Sequence, residues 1–314
     1  MAVYGKVSLF VLVLAEAALF LKLEPIYSHF YLFAWWPAIF LADALIQRKS
    51  GKSFIVDDTR EFVVLCVASV YFWLVFELIN VRLNNWEYHI QTRQSVLMEW
   101  LTGAACFATV LPGLFFFAHL FRIYTRFGHA RIRGFEVTGN LLAGLFAVGC
   151  AFFVFPLIWP DYFFPLVWGS FIFLLVPVNA LFAKRSLLRD MSRGDISTFY
   201  CLLLGGAVCG LLWEFWNFWA PDKWIYTIPY VNKFKVFEMP ILGFLGFPPF
   251  AVECYVGYNT LSIFRAGKSW EHGPIPGRKG LFEQSAAVRI ALIPVLVIVW
   301  AVSFSLMDLF TVKY

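Results

Sequence analysis

The sequence predicts an all-α polytopic membrane protein of about nine transmembrane helices, built as two parallel four-helix repeats plus a C-terminal helix. Three observations carry this reading: an apolar composition, nine apolar runs of spanning length, and an internal similarity between the two halves. The 314 residues are 61% hydrophobic and only 14% charged, whereas a soluble domain carries about 25% charged residues. Mean hydropathy is +0.73. Polar side chains cannot cover such a surface in water, so the chain belongs in a bilayer.

A bilayer core takes roughly 20 apolar residues per helix. Runs of that kind occupy 7–23, 28–47, 61–81, 97–121, 136–158, 161–183, 198–219, 236–264 and 287–309. Their backbones are expected to be helical, because lipid offers no partner to open amides. The first run ends near a small-residue "AEA" that imitates a signal-peptidase site. Glu16 is unusual within such a signal, and the run has a counterpart in the second half, so it is read as a retained helix.

The basic residues set the orientation. Lys6, Arg48, Lys49, Lys52, Arg60, Arg122, Arg126, Arg131, Arg133, Lys184, Arg185, Arg189, Arg193, Arg265, Lys268, Arg278, Lys279 and Arg289 fall in alternate loops on the N-terminal side. Lys22, Arg82, Arg93, Lys223, Lys233, Lys235 and Lys313 fall on the other. This bias predicts a bacterial cytoplasmic (inner) membrane protein with its N-terminus in the cytoplasm and its C-terminus outside. The net charge of +5 is accounted for by these loops and does not indicate nucleic acid. Six cysteines lie within apolar runs without CxxC or Cys/His spacing and read as buried thiols.

The halves share a pattern, as duplicated chains do. "FELINVRLNNWEY" (76–88) and "WEFWNFWAPDKWIY" (213–226) both read Glu-x-x-Asn and then Trp-x-Tyr. Glu77 corresponds to Glu214, Asn80 to Asn217, Trp86 to Trp224, and Tyr88 to Tyr226. Asp43 falls opposite Asn179, Glu99 opposite Glu238, and "FRIY" opposite "LSIF". The offsets run from 136 to 140 in order along the chain, the drift expected of a duplication with small insertions. The expected units are 1–128, 129–268, and an appended loop and ninth helix over 269–314. Four spans per unit give both copies the same orientation about an axis along the membrane normal.

Glu77 and Asn80 are three residues apart and share a helix face, as do Glu214 and Asn217. Ionisable groups inside a membrane are costly and by default mark function. Glu77, Glu214, Glu238 and Glu253 are therefore the candidate acids, with Glu253 further down the eighth helix. Asn80, Asn217 and Glu99 would orient them or a ligand, and Trp86, Tyr88, Trp213, Trp216, Trp224 and Tyr226 would form the walls. Structural roles compete at several of these positions. Tryptophan and tyrosine anchor helices at membrane interfaces, Glu99 and Glu238 could cap helix N-termini, and the asparagines could bond between helices. Asp43 and Asn179 read as structural, and "GFPP" (246–249) as a kink. Glu77 and Glu214 resist such readings best. Each sits among large apolar residues at a helix C-terminus, where the dipole disfavours a negative charge, so each is expected to hold or share a proton and could act as a general acid. Facing rings would stabilise a developing cation. Asn replaces the His of a helical Glu-x-x-His metal pattern. No Walker, dinucleotide, HExxH or nucleophile-elbow motif is present, so no metal and no cofactor is assigned.

"WEY" (86–88) and "WIY" (224–226), followed by Glu99, "FEMP" (237–240) and "GFPP", resemble the heterodimeric or fused lycopene cyclases, integral membrane carotenoid enzymes. The adjacent acidic pair of that family is absent from both copies. A weaker similarity is to small membrane terpene cyclases. The resemblance implies acid chemistry on an isoprenoid. The expectation is thus an aromatic, carboxylate-containing cavity, open toward the outer side, that binds an isoprenoid or other membrane lipid and acts as a cyclase or isomerase. A proton-coupled transporter or channel and a non-catalytic membrane scaffold are the alternatives.

Overall fold

The computed structural model describes residues 1–231, 233–277, 279–281 and 285–314. Arg278 and the Arg289 side chain, both counted on the basic side above, lie outside the described residues.

Among the described residues, nine helical segments are long and apolar enough to cross a membrane, and they coincide with the runs read from the sequence. The protein is an integral membrane protein of the all-α class. The first three spans are single helices, α1 (Val3–Leu21), α2 (Phe30–Ser50) and α3 (Thr59–Leu83). The fourth is broken into α4 (Val96–Phe107) and α5 (Val110–Tyr124). Pro112 accounts for the break, because its ring displaces the carbonyl four residues earlier. Ser69 of α3 repairs the exposed backbone: its hydroxyl donates to Phe107 O at 2.6 Å and accepts from Leu111 N at 2.9 Å. Irregular backbone at membrane depth is tolerated where protein satisfies it in this way.

The fifth span is α6 (Gly139–Ile158), and the sixth combines α7 (Pro160–Phe163) with α8 (Val167–Phe182). After the short α9 (Leu187–Ser192) comes the seventh span, α10 (Ser197–Trp219). The eighth begins as a 3-10 turn (Ile241–Gly246) and continues as α11 (Phe247–Ser262). Pro248 and Pro249 therefore start a helix rather than kink one, a place where their missing N–H groups cost nothing. The ninth span is α12 (Ala286–Phe310).

Within each half the first two spans pack together, α1 on α2 and α6 on α8. The inner helices α5, α10 and α11 pack across the middle. Gly205 of α10 permits a close approach to α5, since a Cβ there would lie 2.7 Å from Ala118 N.

The two ends differ. At the basic end, Arg265 holds the buried Glu61 through two bonds of 2.8 and 2.6 Å, and Tyr258 donates to the same carboxylate at 2.6 Å. Asp43 accepts from Ser53 Oγ, Phe54 N and Tyr4 OH, while Asn179 donates to Val256 O, the structural roles expected of both.

At the opposite end the two Trp-x-Tyr motifs form strands, β1 (Trp86–His89) and β2 (Lys223–Tyr226). They pair antiparallel with Trp86 opposite Tyr226, Glu87 opposite Ile225, and Tyr88 opposite Trp224. Two short strands, β3 (Lys235–Val236) and β4 (Met239–Pro240), form a hairpin after β2. The ninth span is no appendage. It packs on α3 and leads into β5 (Val312–Lys313), which joins the other edge of β1. The sequence hides this strand because two residues carry no periodicity.

Candidate functional site

The site is built where α3 and α10 end. Asn80 sits one turn beyond Glu77. Its Nδ2 donates to Trp86 O at 2.8 Å, and its Oδ1 accepts from Asn85 N at 2.8 Å and Trp86 N at 3.3 Å. Asn217 makes the equivalent bonds, donating to Trp224 O at 2.8 Å and accepting from Trp224 N at 2.9 Å. Each carboxamide thus satisfies an emerging strand and folds it back over its own helix. The asparagines are positioning residues for the Trp-x-Tyr strands.

That fold-back delivers a tyrosine to each buried glutamate. Glu77 Oε1 accepts from Tyr88 OH at 2.5 Å, Trp73 Nε1 at 2.7 Å and Trp86 Nε1 at 3.2 Å. Glu214 Oε1 accepts from Tyr226 OH at 2.8 Å, and that hydroxyl in turn accepts from Trp224 Nε1 at 2.9 Å. Both carboxyls are fully buried. In each, Oε2 has no partner among the described residues. Burial first, and then the adjacent carboxyl, pushes both tyrosine hydroxyls well above the usual phenol range. They are neutral hydroxyls at pH 7.

Tyr88 and Tyr226 both line one cavity of about 770 Å³. Its wall also takes Trp73, Trp86, Trp168, Trp213, Trp224 and Phe250. The rings are interlocked: Phe76 stacks on Trp168 at 5.4 Å, Phe250 packs edge-on to Trp73 at 5.7 Å, and Tyr31 meets Trp224 edge-on at 5.5 Å. Among the described residues, no lining residue comes from 33–72, 111–151, 174–212 or 251–303, which places the cavity at the Trp-x-Tyr end. Leu242 and Leu245, both exposed, form part of its margin.

The five glutamates do not form a single cluster. Glu77 and Glu214 reach the cavity through their tyrosines rather than by lining it. Glu99 lines it directly and accepts from Tyr314 OH at 2.7 Å. Glu238 forms a 2.6 Å ion pair with Lys223, which makes it a structural carboxylate instead of an acid for the cavity. Glu253 is buried outside the lining set, with Oε1 accepting from Phe171 N at 3.0 Å and Oε2 without a partner among the described residues. Of the expected wall residues, only Trp216 is absent from the lining. It donates to Glu16 at 2.7 Å and packs edge-on to Trp35 at 5.0 Å.

No family model, curated protein or solved structure matches the chain. The site has to be read from its own chemistry.

Several contributors escaped sequence reasoning. Trp73 lies four residues before Glu77, a helical spacing that could have flagged it. Trp100, Trp168 and Phe250 had no such signal in a chain with 37 Phe and 13 Trp. Asp308 lines the rim and accepts from Trp100 Nε1 at 2.7 Å; its place follows from the docking of the ninth span. Among the described residues, no group of three or more His, Cys, Asp or Glu side chains is arranged to hold a metal ion.

Proposed function

We propose that this protein binds an isoprenoid or a similar membrane lipid in the aromatic cavity and acts on it by acid chemistry, as a cyclase or isomerase that needs no soluble cofactor. The observation that carries this reading is the pair of contacts Tyr88–Glu77 and Tyr226–Glu214, which present two hydroxyls backed by buried carboxyls to one apolar chamber. Neither carboxyl has a cationic partner among the described residues. A carboxylic acid without a counter-ion suits proton donation in a water-poor site.

The chemistry is a proton addition followed by a proton loss. One pair starts as the protonated acid and the other as the carboxylate. The tyrosine hydroxyl of the acid pair turns from its glutamate to the ligand and gives its proton to one carbon of an alkene. It takes the carboxyl proton in exchange, leaving a carboxylate behind it and a carbocation on the other alkene carbon. The tryptophan and phenylalanine faces stabilise that cation. An internal double bond can attack it to close a ring, and loss of a proton from an adjacent carbon to the second tyrosine–carboxylate pair restores neutrality. The product is an isomer of the substrate.

The bundle would sit in a bacterial cytoplasmic membrane with its basic end, and hence its N-terminus, in the cytoplasm, as the clustering of lysine and arginine supports. The cavity then opens toward the outer leaflet. Its confinement to one end supports a binding pocket over a transport path.

The test is lipid extraction from protein purified out of cells grown in deuterated water, comparing wild type with Glu214→Gln. The expected result is a co-purifying isoprenoid that carries enzyme-dependent deuterium in the wild type and lacks it in the variant. Identical lipids with identical label in both proteins would refute the acid reading.

A further inference from the structure

The polar groups around the cavity say what kind of head the ligand carries. Among the described residues, three carboxylates lie on the wall, Glu99, Asp222 and Asp308, against one cation, Lys223. That cation is already bound to Glu238 at 2.6 Å. The remaining nearby guanidinium, Arg93, lies over the Tyr314 ring at 5.2 Å.

Many of the donors are spent as well. Asp222 takes the Gln91 and Thr92 amides at 2.7 and 3.0 Å. Asp308 takes the Trp100 indole, and Glu99 takes the Gln94 amide at 3.2 Å. The Trp73 and Trp86 indoles go to Glu77, and that of Trp224 goes to Tyr226. A phosphate or diphosphate is bound by free amides, arginine forks or lysine. Here the lysine and the Gln91, Thr92 and Gln94 amides already serve carboxylates, and the indoles left over, those of Trp168 and Trp213, are neutral donors that cannot balance an anion's charge.

An acceptor, by contrast, stands idle. Asn85 lines the cavity and is only 3% exposed, and its Oδ1 has no hydrogen-bond partner among the described residues; the buried Nδ1 of His29 on the same wall is unpartnered there too and can also accept. A buried carbonyl of this kind needs a donor.

We infer that the cavity selects an uncharged isoprenoid whose head donates a hydrogen bond, an isoprenoid alcohol, and rejects the corresponding phosphates. This rests on the isoprenoid reading above and adds the head group to it. The ligand hydroxyl donates to Asn85 Oδ1, and the acidic wall repels an anionic head, so exclusion comes from charge as much as from the scarcity of free donors.

The experiment is a set of tryptophan-fluorescence titrations of the full-length protein in nanodiscs with three probes of one chain length: geranylgeraniol, its methyl ether and its diphosphate. The alcohol is expected to bind at least tenfold more tightly than the diphosphate and several-fold more tightly than the ether. In Asn85→Leu the alcohol should fall to the affinity of the ether while the ether itself is unchanged, which also shows that the variant is folded. In Asp308→Asn the gap between alcohol and diphosphate should narrow. Diphosphate binding equal to or tighter than that of the alcohol overturns the head-group assignment and leaves the isoprenoid reading standing. Failure of all three probes to bind overturns the isoprenoid reading itself.

Discussion

Trp86 lies directly opposite Tyr226 in the β1–β2 ribbon, and Tyr88 lies opposite Trp224. The first position of each motif meets the last position of the other, with Glu87 and Ile225 at the centre. This is the register that a two-fold axis through the ribbon would impose. Each tyrosine still bonds the glutamate of its own half, so two matching acid–hydroxyl pairs flank one cavity.

The two pairs are not equally supported. In Tyr226→Phe, Glu214 loses its hydroxyl donor while its second oxygen is already unpartnered. A buried acceptor left this way costs about 1–3 kcal/mol. In Tyr88→Phe, Glu77 retains the Trp73 and Trp86 indoles. Thermal unfolding in detergent should therefore show a larger loss for Tyr226→Phe, and equal losses would contradict the difference in donors.

Asn80→Ala and Asn217→Ala remove the bonds that hold the strands over their helices. At about 1 kcal/mol net per bond, Asn80→Ala, which loses three, should destabilise the protein by about 3 kcal/mol, and Asn217→Ala, which loses two, by about 2 kcal/mol. Both should also weaken ligand binding, because the Trp-x-Tyr strands would lose their anchor. Denaturant titration followed by tryptophan fluorescence checks this, and a neutral effect at either site would show that the ribbon alone sets the geometry.

Gly205→Ala should be costly and Gly144→Ala should not. A Cβ at Gly205 meets Ala118 backbone at 2.7 and 2.9 Å, whereas at Gly144 it meets nothing within 4 Å. Backbone cannot yield as a side chain can, and overpacking of this kind costs about 1–3 kcal/mol. Melting temperatures of the two variants provide the comparison.

At the basic end, Glu61→Gln leaves Arg265 and Lys268 without their shared carboxylate. Breaking one partner of a buried pair costs about 3–5 kcal/mol, while replacing both by apolar groups can be nearly neutral. The double variant Glu61→Leu/Arg265→Met should thus be more stable than Glu61→Gln. A double variant less stable than the single one would contradict this account of the pair.

Much of the fold was legible because lipid imposes a simple rule. Each span had to be one long apolar run. The break at Pro112 carried no such signal, and "GFPP" read as a kink although its prolines begin a helix. The repeated Glu-x-x-Asn and Trp-x-Tyr spacings pointed to Glu77, Glu214 and the two tyrosines. The division of labour was not legible. Asn80 and Asn217 looked like possible partners of an acid or a ligand, yet they bond backbone that is local in sequence but placed only once the chain turns. Glu238 looked equivalent to Glu99, but its partner Lys223 lies fifteen residues earlier, at the start of β2, a separation at which no periodicity reveals a pair. Val312 joins β1 from the far end of the chain, a contact that only the docking of the ninth helix on α3 determines.

The most direct test of the central claim is photo-crosslinking with a diazirine-tagged isoprenoid alcohol, with adducts mapped by mass spectrometry and excess untagged alcohol as competitor. The predicted adducts fall on the cavity segments 85–94 and 220–228 and disappear with the competitor. Adducts spread along the exposed faces of α6 and α12, unaffected by the competitor, would mean that the alcohol meets the protein only as bulk lipid, and that the cavity is not its site.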